Sequence, residues 1–122
     1  MIIQKFLSML PKAILKYLLD IETIISELEK IVELHEVNFN KFCENFISVR
    51  AVERDLMIIG EAVNKIIKYE PSIKISNSKH IVGLRNMIVH AYDSIDTTTL
   101  WKILIKDIPI LKKEIMELKS NY

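Results

Sequence analysis

The sequence predicts an all-α protein: an antiparallel up-and-down bundle of four main helices with a short N-terminal helical arm. Three observations carry this. Apolar residues recur every three or four positions over stretches much longer than a typical strand. Only two Gly and three Pro occur in 122 residues, too few for the many tight turns of an all-β fold. The breaks between periodic stretches are short, which favours antiparallel neighbours. The many Ile residues lean towards strands by propensity, but period and length outweigh that preference.

The arm comes first. Met1 to Leu19 is apolar, but Lys5, Lys12 and Lys16 interrupt it, Pro11 cuts it, and no small-residue cleavage site follows. It therefore reads neither as a membrane span nor as a signal peptide, but as an amphipathic helical arm packed on the core or on another subunit. A first main helix is expected from about Pro11 to Glu36. Ile14, Leu18, Ile21, Ile25, Leu28 and Val32 face inward, and Lys16, Asp20, Glu22, Glu29, Lys30 and Glu33 face outward. Pro11 suits a first turn, where a missing N–H costs nothing.

A second helical pattern opens at Phe39, Phe42 and Phe46 and runs through Val49, Val52, Leu56, Ile59, Val63 and Ile67 to the break before Pro71. Gly60 lies inside it. An interior Gly costs about 1 kcal/mol relative to Ala, so its presence suggests a close helix–helix approach. The segment PSIKISNS, residues 71–78, is the main loop. Ser78 is placed to cap a third helix carrying Ile81, Leu84 and Ile88. Asp93 to Asp96 breaks the chain again. Asp96 caps a final helix from Thr97 to about Leu118, in which Pro109 removes a backbone hydrogen bond and predicts a kink.

The composition also narrows function. The length fits one domain, 1–122. The formal charge of +1 predicts no strong general attraction to nucleic acid, so any such contact should be confined to a local cleft. Neither glycine-rich nucleotide-binding pattern occurs, and no cofactor is implied. One Cys and three scattered His give no zinc spacing, and the lone Cys43 points to a reducing, cytoplasmic setting. Cys43 itself reads as a small buried hydrophobe. His35 and His80 read as surface or loop residues. Trp101 reads as a core or interface anchor, and Lys102, Lys106, Lys112 and Lys113 as a solvated face rather than a basic stripe for RNA.

Chemistry concentrates in residues 83–93, GLRNMIVHAYD. At about 100° per residue, Asn86 and His90 fall one turn apart on one face, and Arg85 and Tyr92 also align. The four span an arc of roughly 160°. Arg supplies a permanent planar cation, His a proton donor or acceptor near neutral pH, and Tyr a hydroxyl or stacking ring. Such a face can bind and act on a phosphate. Each residue could equally be a solvated or locally paired side chain.

The pattern Arg85-Asn86-x3-His90-x-Tyr92 resembles the Arg-x4-His-x-Tyr motif of HEPN-domain ribonucleases of the HepT toxin type. RAVERDLMIIGEAVNKI, with Gly60, Glu61 and Ala62, resembles that family's second long helix. IDTTTLWKILIKDIPILKKEI, with Trp101 and Asp-x-Pro, resembles its last. The similarity covers about Lys16 to Leu118. The loop at 71–78 lacks the Trp that many relatives carry, and the first fifteen residues exceed the usual start. The resemblance implies a metal-independent endoribonuclease toxin working as a homodimer with a composite cleft. Arg85 and His90 would be catalytic, with Asn86 in the substrate site. It further implies a nucleotidyltransferase antitoxin that neutralises the toxin by AMPylating Tyr92. A second reading is a non-catalytic helical module that presents substrate to a nucleotidyltransferase. Glu61 reads either as a contact to Arg54 or the motif or as a helical charge paired locally, and Arg50, Glu53, Arg54 and Asp55 read as a solvated or interhelical charge cluster.

Overall fold

A computed structural model describes the backbone of residues 2–90 and 96–121, and the side chains of residues 12–88 and 96–121. Among the described residues there are five helices and no strand. They are α1 (Ile2–Leu34), α2 (Phe39–Glu44), α3 (Phe46–Tyr69), α4 (Ser78–His90) and a last helix in three parts. Those parts are α5 (Thr97–Lys102), a π-helical turn (Ile103–Asp107) and α6 (Ile108–Lys119).

The expected stripe on α1 is present. Ile14, Leu18, Ile21, Ile25 and Leu28 are all buried, each stabilising the fold by roughly 1.5–3 kcal/mol in transfer free energy. The expected start at Pro11 is corrected. The helix begins at Ile2 and passes through Pro11, so arm and first helix are one element. Proline's fixed φ is helical, and the lost ladder bond together with the ring's clash with the carbonyl four residues back costs about 3 kcal/mol, carried here by a long helix. The exit from α1 is tight. Glu36 and Val37 both take left-handed backbone, with φ of 55° and 53°, and the Val37 N–H reaches back to the Val32 carbonyl at 3.0 Å.

The second helical pattern is divided at Asn45, which closes α2 and caps α3. Its N–H bonds the Phe42 carbonyl, and its side chain accepts the Ser48 N–H at 3.0 Å. An amide side chain competes well for backbone donors, so the apolar period continues while the helix does not. In the short α2, Phe42 takes the inward position and is fully buried. Cys43, about 100° further round, is exposed rather than buried. Trp101 is the anchor expected of it, with its ring centroid 5.4 Å from Phe42 and 5.9 Å from Phe39.

Two other boundaries differ from expectation. The first turn of α4 is closed by the Ile81 N–H on the Asn77 carbonyl, so Asn77 rather than Ser78 holds the cap position. Pro109 does not stand in a regular helix. It follows the π-helical turn directly, at the start of α6. A wider turn relieves the clash between the proline ring and the carbonyl four residues back, and accommodates its missing N–H.

Helix pairs run antiparallel where long-range contacts fix their direction. Tyr17 meets Tyr69 across α1 and α3. Glu22 and Glu29 pair with Lys119 and Lys112 across α1 and α6, at 2.7 and 2.8 Å. The centre of the bundle is α3, packed chiefly on α1 and α4. No helix among the described residues is long and apolar enough to cross a membrane.

Candidate functional site

The site is built where α4 crosses α3. Ile81 and Leu84 anchor the inner face of α4 in the core, and Ile88 packs partly buried against it. That phase turns Arg85 towards the flank of α3 and leaves Asn86 and Met87 exposed. The close approach expected at Gly60 is real. A Cβ placed there would lie 2.5 Å from the Arg85 Cβ and 3.1 Å from the Ile81 carbonyl oxygen. The Arg85 stem therefore occupies the space that any other residue at position 60 would need.

Beyond that crossing, the guanidinium is held on two sides. Nη2 donates to Glu61 Oε1 at 3.1 Å, and Nη1 to Asn86 Oδ1 at 2.9 Å. Of the readings open for Glu61, the contact with the motif is the one found. Arg85 Nε is buried without a hydrogen-bond partner among the described residues. The side chain is about one third exposed, so its outer N–H groups reach solvent. A planar cation, oriented by a carboxylate and an amide and open on one edge, can accept a phosphate in forked geometry.

The backbone of α4 extends to His90, which places His90 one turn beyond Asn86. Tyr92 lies outside the described residues. Arg85 and Asn86 are thus in contact. Among the described residues no cluster of His, Cys, Asp and Glu is arranged to hold a metal ion. An apolar groove of about 490 Å³ is lined by α1 and the last helix, including Leu28, Val32, Leu104 and Ile108, and by no residue of α4. Arg85 and Asn86 do not line it.

The start of α4 is tied to the last helix by contacts that the sequence did not disclose. Asp107, at the end of the π-helical turn, accepts from Asn77 Nδ2 at 3.2 Å through one oxygen and lies 3.2 Å from His80 Nδ1 through the other. Next to it, Glu114 accepts from both the backbone N–H and the hydroxyl of Ser76. The available signal was the Asp-x-Pro of the last helix.

One other expectation needs correction. His35 is not a surface residue. It is buried, with Nε2 2.8 Å from the Ser48 hydroxyl and its ring edge-on to Phe42. Of the two readings of the charge cluster at Arg50, Glu53, Arg54 and Asp55, Asp55 follows the interhelical one. It is buried between α3 and α1, and its carboxyl is pushed up to about 7, first by burial and then by the charge of Glu27 and a hydrogen bond with it, against the opposing pull of Arg54. Arg50 pairs locally with Glu53 at 3.2 Å. Lys112, engaged with Glu29, does not belong to a free basic stripe.

The described residues thus form an all-helical bundle with an oriented arginine ahead of a histidine on the same helix, and comparison with known proteins gives its family. Residues 21–118 match the family described as Ribonuclease HepT-like, and the chain belongs to that family. It is 38% identical over 95 residues to a Methanocaldococcus jannaschii protein provisionally named RNase MJ1380, covering 75% of this chain and 86% of that one. It is 33% identical over 101 residues to a Caldanaerobacter subterraneus protein provisionally named RNase TTE0752, covering 80% and 89%. It is 33% identical over 108 residues to a Thermococcus cleftensis protein named probable ribonuclease HepT, covering 85% and 94%. No solved structure matched the chain.

Proposed function

We propose that the protein is a metal-independent endoribonuclease, the toxin of a HEPN/nucleotidyltransferase toxin–antitoxin pair, and that Arg85 and His90 perform the cleavage. The observation that carries this is the Arg85 guanidinium, fixed by Glu61 and Asn86 yet open on its outer edge, on the helix that also bears His90.

Cleavage without a metal needs a base for the 2′-OH, an acid for the departing 5′ oxygen and a cation for the pentacoordinate phosphorus. One His90 takes the 2′ proton as O2′ attacks phosphorus. The P–O5′ bond then breaks, and a second histidine delivers a proton to O5′. Arg85 holds the non-bridging oxygens and Asn86 orients the phosphate or the imidazole. The products are a 2′,3′-cyclic phosphate and a 5′-OH. One chain supplies one such histidine, so a homodimer that joins two α4 helices in one cleft completes the set. Met87, exposed on the same helix, offers apolar surface for such a contact.

Regulation follows from Tyr92. Its hydroxyl attacks the α-phosphorus of ATP on the nucleotidyltransferase antitoxin, pyrophosphate leaves, and AMP remains attached. The added charge and bulk beside Arg85 and His90 then exclude RNA.

The test is expression without the neighbouring gene, paired with RNA cleavage by the purified chain. Arg85→Ala and His90→Ala should each abolish toxicity and lower cleavage by roughly 100-fold or more. Cleavage by His90→Ala at the parental rate sinks the assignment. An inert parent that binds a nucleotidyltransferase points to the non-catalytic module instead. Co-expression with the neighbour should add AMP-sized mass at Tyr92.

A further inference from the structure

One cluster outside the motif combines exposed aromatic surface with cations. Tyr17 of α1 and Tyr69 at the end of α3 meet with ring centroids 6.4 Å apart, tilted by 50°. The ammonium groups of Lys16 and Lys65 each lie 5.6 Å from the Tyr17 ring centroid. Tyr17 is half-buried and braced, while Tyr69 is 48% exposed. Lys68 stands one residue before Tyr69. Among the described residues, Lys16, Lys65 and Lys68 form no ion pair, whereas Lys41, Lys112 and Lys119 each engage a glutamate.

The register of α3 links this cluster to the motif. Glu61, Lys65 and Tyr69 follow one another at four-residue spacing, so they share one flank of the helix. Glu61 holds the Arg85 guanidinium on that flank. Eight residues at about 1.5 Å each put Tyr69 roughly 12 Å along the axis from Glu61. The line therefore runs from the Arg85 guanidinium, past an ammonium that forms no ion pair among the described residues, to a half-exposed aromatic ring. Successive phosphates and bases of an unpaired strand present that same order of charge and π-face. Duplex RNA keeps its bases stacked inside and offers no base to the ring.

We propose that Tyr69, braced by Tyr17 and flanked by Lys16, Lys65 and Lys68, is a stacking platform for single-stranded RNA beside the cleavage site. This rests on the ribonuclease reading and adds the substrate class, an unpaired strand.

The test measures binding of a labelled single-stranded 12-nucleotide RNA and of a 12-base-pair RNA duplex to the 122-residue chain carrying His90→Ala, which prevents cleavage. Tyr69→Ala should weaken single-strand binding about tenfold and change duplex binding less than twofold. Tyr69→Phe keeps the ring and should stay within twofold of the parent. Lys65→Gln should flatten the salt dependence of single-strand binding by about 0.7 in log–log slope. Single-strand binding indifferent to Tyr69→Ala overturns the platform, whatever Lys65→Gln does, as does equal loss on the duplex. A chain with native His90 that cleaves RNA while its binding ignores Tyr69 loses the platform and keeps the ribonuclease. A chain that binds through Tyr69 and never cleaves keeps the platform and loses the ribonuclease.

Discussion

Arg85 lies against Gly60 so closely that a methyl group on residue 60 would sit 2.5 Å from the Arg85 Cβ. Gly60→Ala gains about 1 kcal/mol in helix propensity and loses more by pushing α4 away from α3. The expected net destabilisation is about 1–2 kcal/mol, with RNA cleavage falling tenfold or more as Arg85 shifts. Gly83 provides the control. A Cβ there meets nothing within 4 Å. Gly83→Ala should raise stability by about 1 kcal/mol and leave cleavage unchanged. Thermal melts and initial rates on both variants check the pair.

Glu61 orients Arg85 and also competes with phosphate for it. Glu61→Gln keeps an acceptor and removes the competing charge. RNA should bind more tightly, with KM lower by about threefold, and kcat should fall by roughly tenfold as the guanidinium loses its charged anchor. A matched fall of kcat/KM with KM unchanged would argue instead that Glu61 acts only through the transition state.

Asp107 fixes the first turn of α4 through Asn77 and His80. Asp107→Ala should cost about 1–2 kcal/mol. Its more specific signature is local. Amide exchange at Ile81 and Leu84 should accelerate more than exchange along α1, because the loss loosens one end of one helix.

Asp55 sets a pH dependence. Its carboxyl, with an ordinary value of 3.8, is raised to about 7 by burial and by Glu27. The native state therefore holds a proton that the unfolded chain has released, and stability falls as pH rises between those two values. Melting temperature should decline from pH 4 to pH 7 and then level. Asp55→Asn stays neutral throughout, so it should flatten that decline and gain about 1–2 kcal/mol at pH 8. An unchanged profile in the variant would clear Asp55 of the effect.

Helical periodicity made the core readable in advance, because burial on one face leaves a repeat in the residue order. Leu18, Ile25, Ile59, Leu84 and Leu111 all lie where that repeat places them. Gly60 was readable for a different reason: its helix-interior cost demanded a compensating contact. The boundaries were less readable. Asn45 breaks a helix without breaking the apolar period, and Pro11 keeps the period while standing inside a helix. The buried charge at Asp55 and the His35–Ser48 bond depend on partners 28 and 13 positions away in sequence, Glu27 and Ser48. No local pattern records such pairings. The contact between Glu61 and Arg85 sits between these cases, since it was one of several pairings that the residue order left open.

The π-helical turn at Ile103–Asp107 makes the last helix elastic in length at one place. Upstream of it, Leu100 and Ile103 point into the core, and downstream Ile108, Leu111 and Ile115 do the same. A π turn holds about one residue more than an α turn for nearly the same rotation. Removing one residue from it would let ordinary α-helix run through and leave Ile108, Leu111 and Ile115 facing the core, with Lys112 and Lys119 still on the side of Glu29 and Glu22. The same deletion in α5 or α6 would rotate everything beyond it by about 100° and expose that stripe.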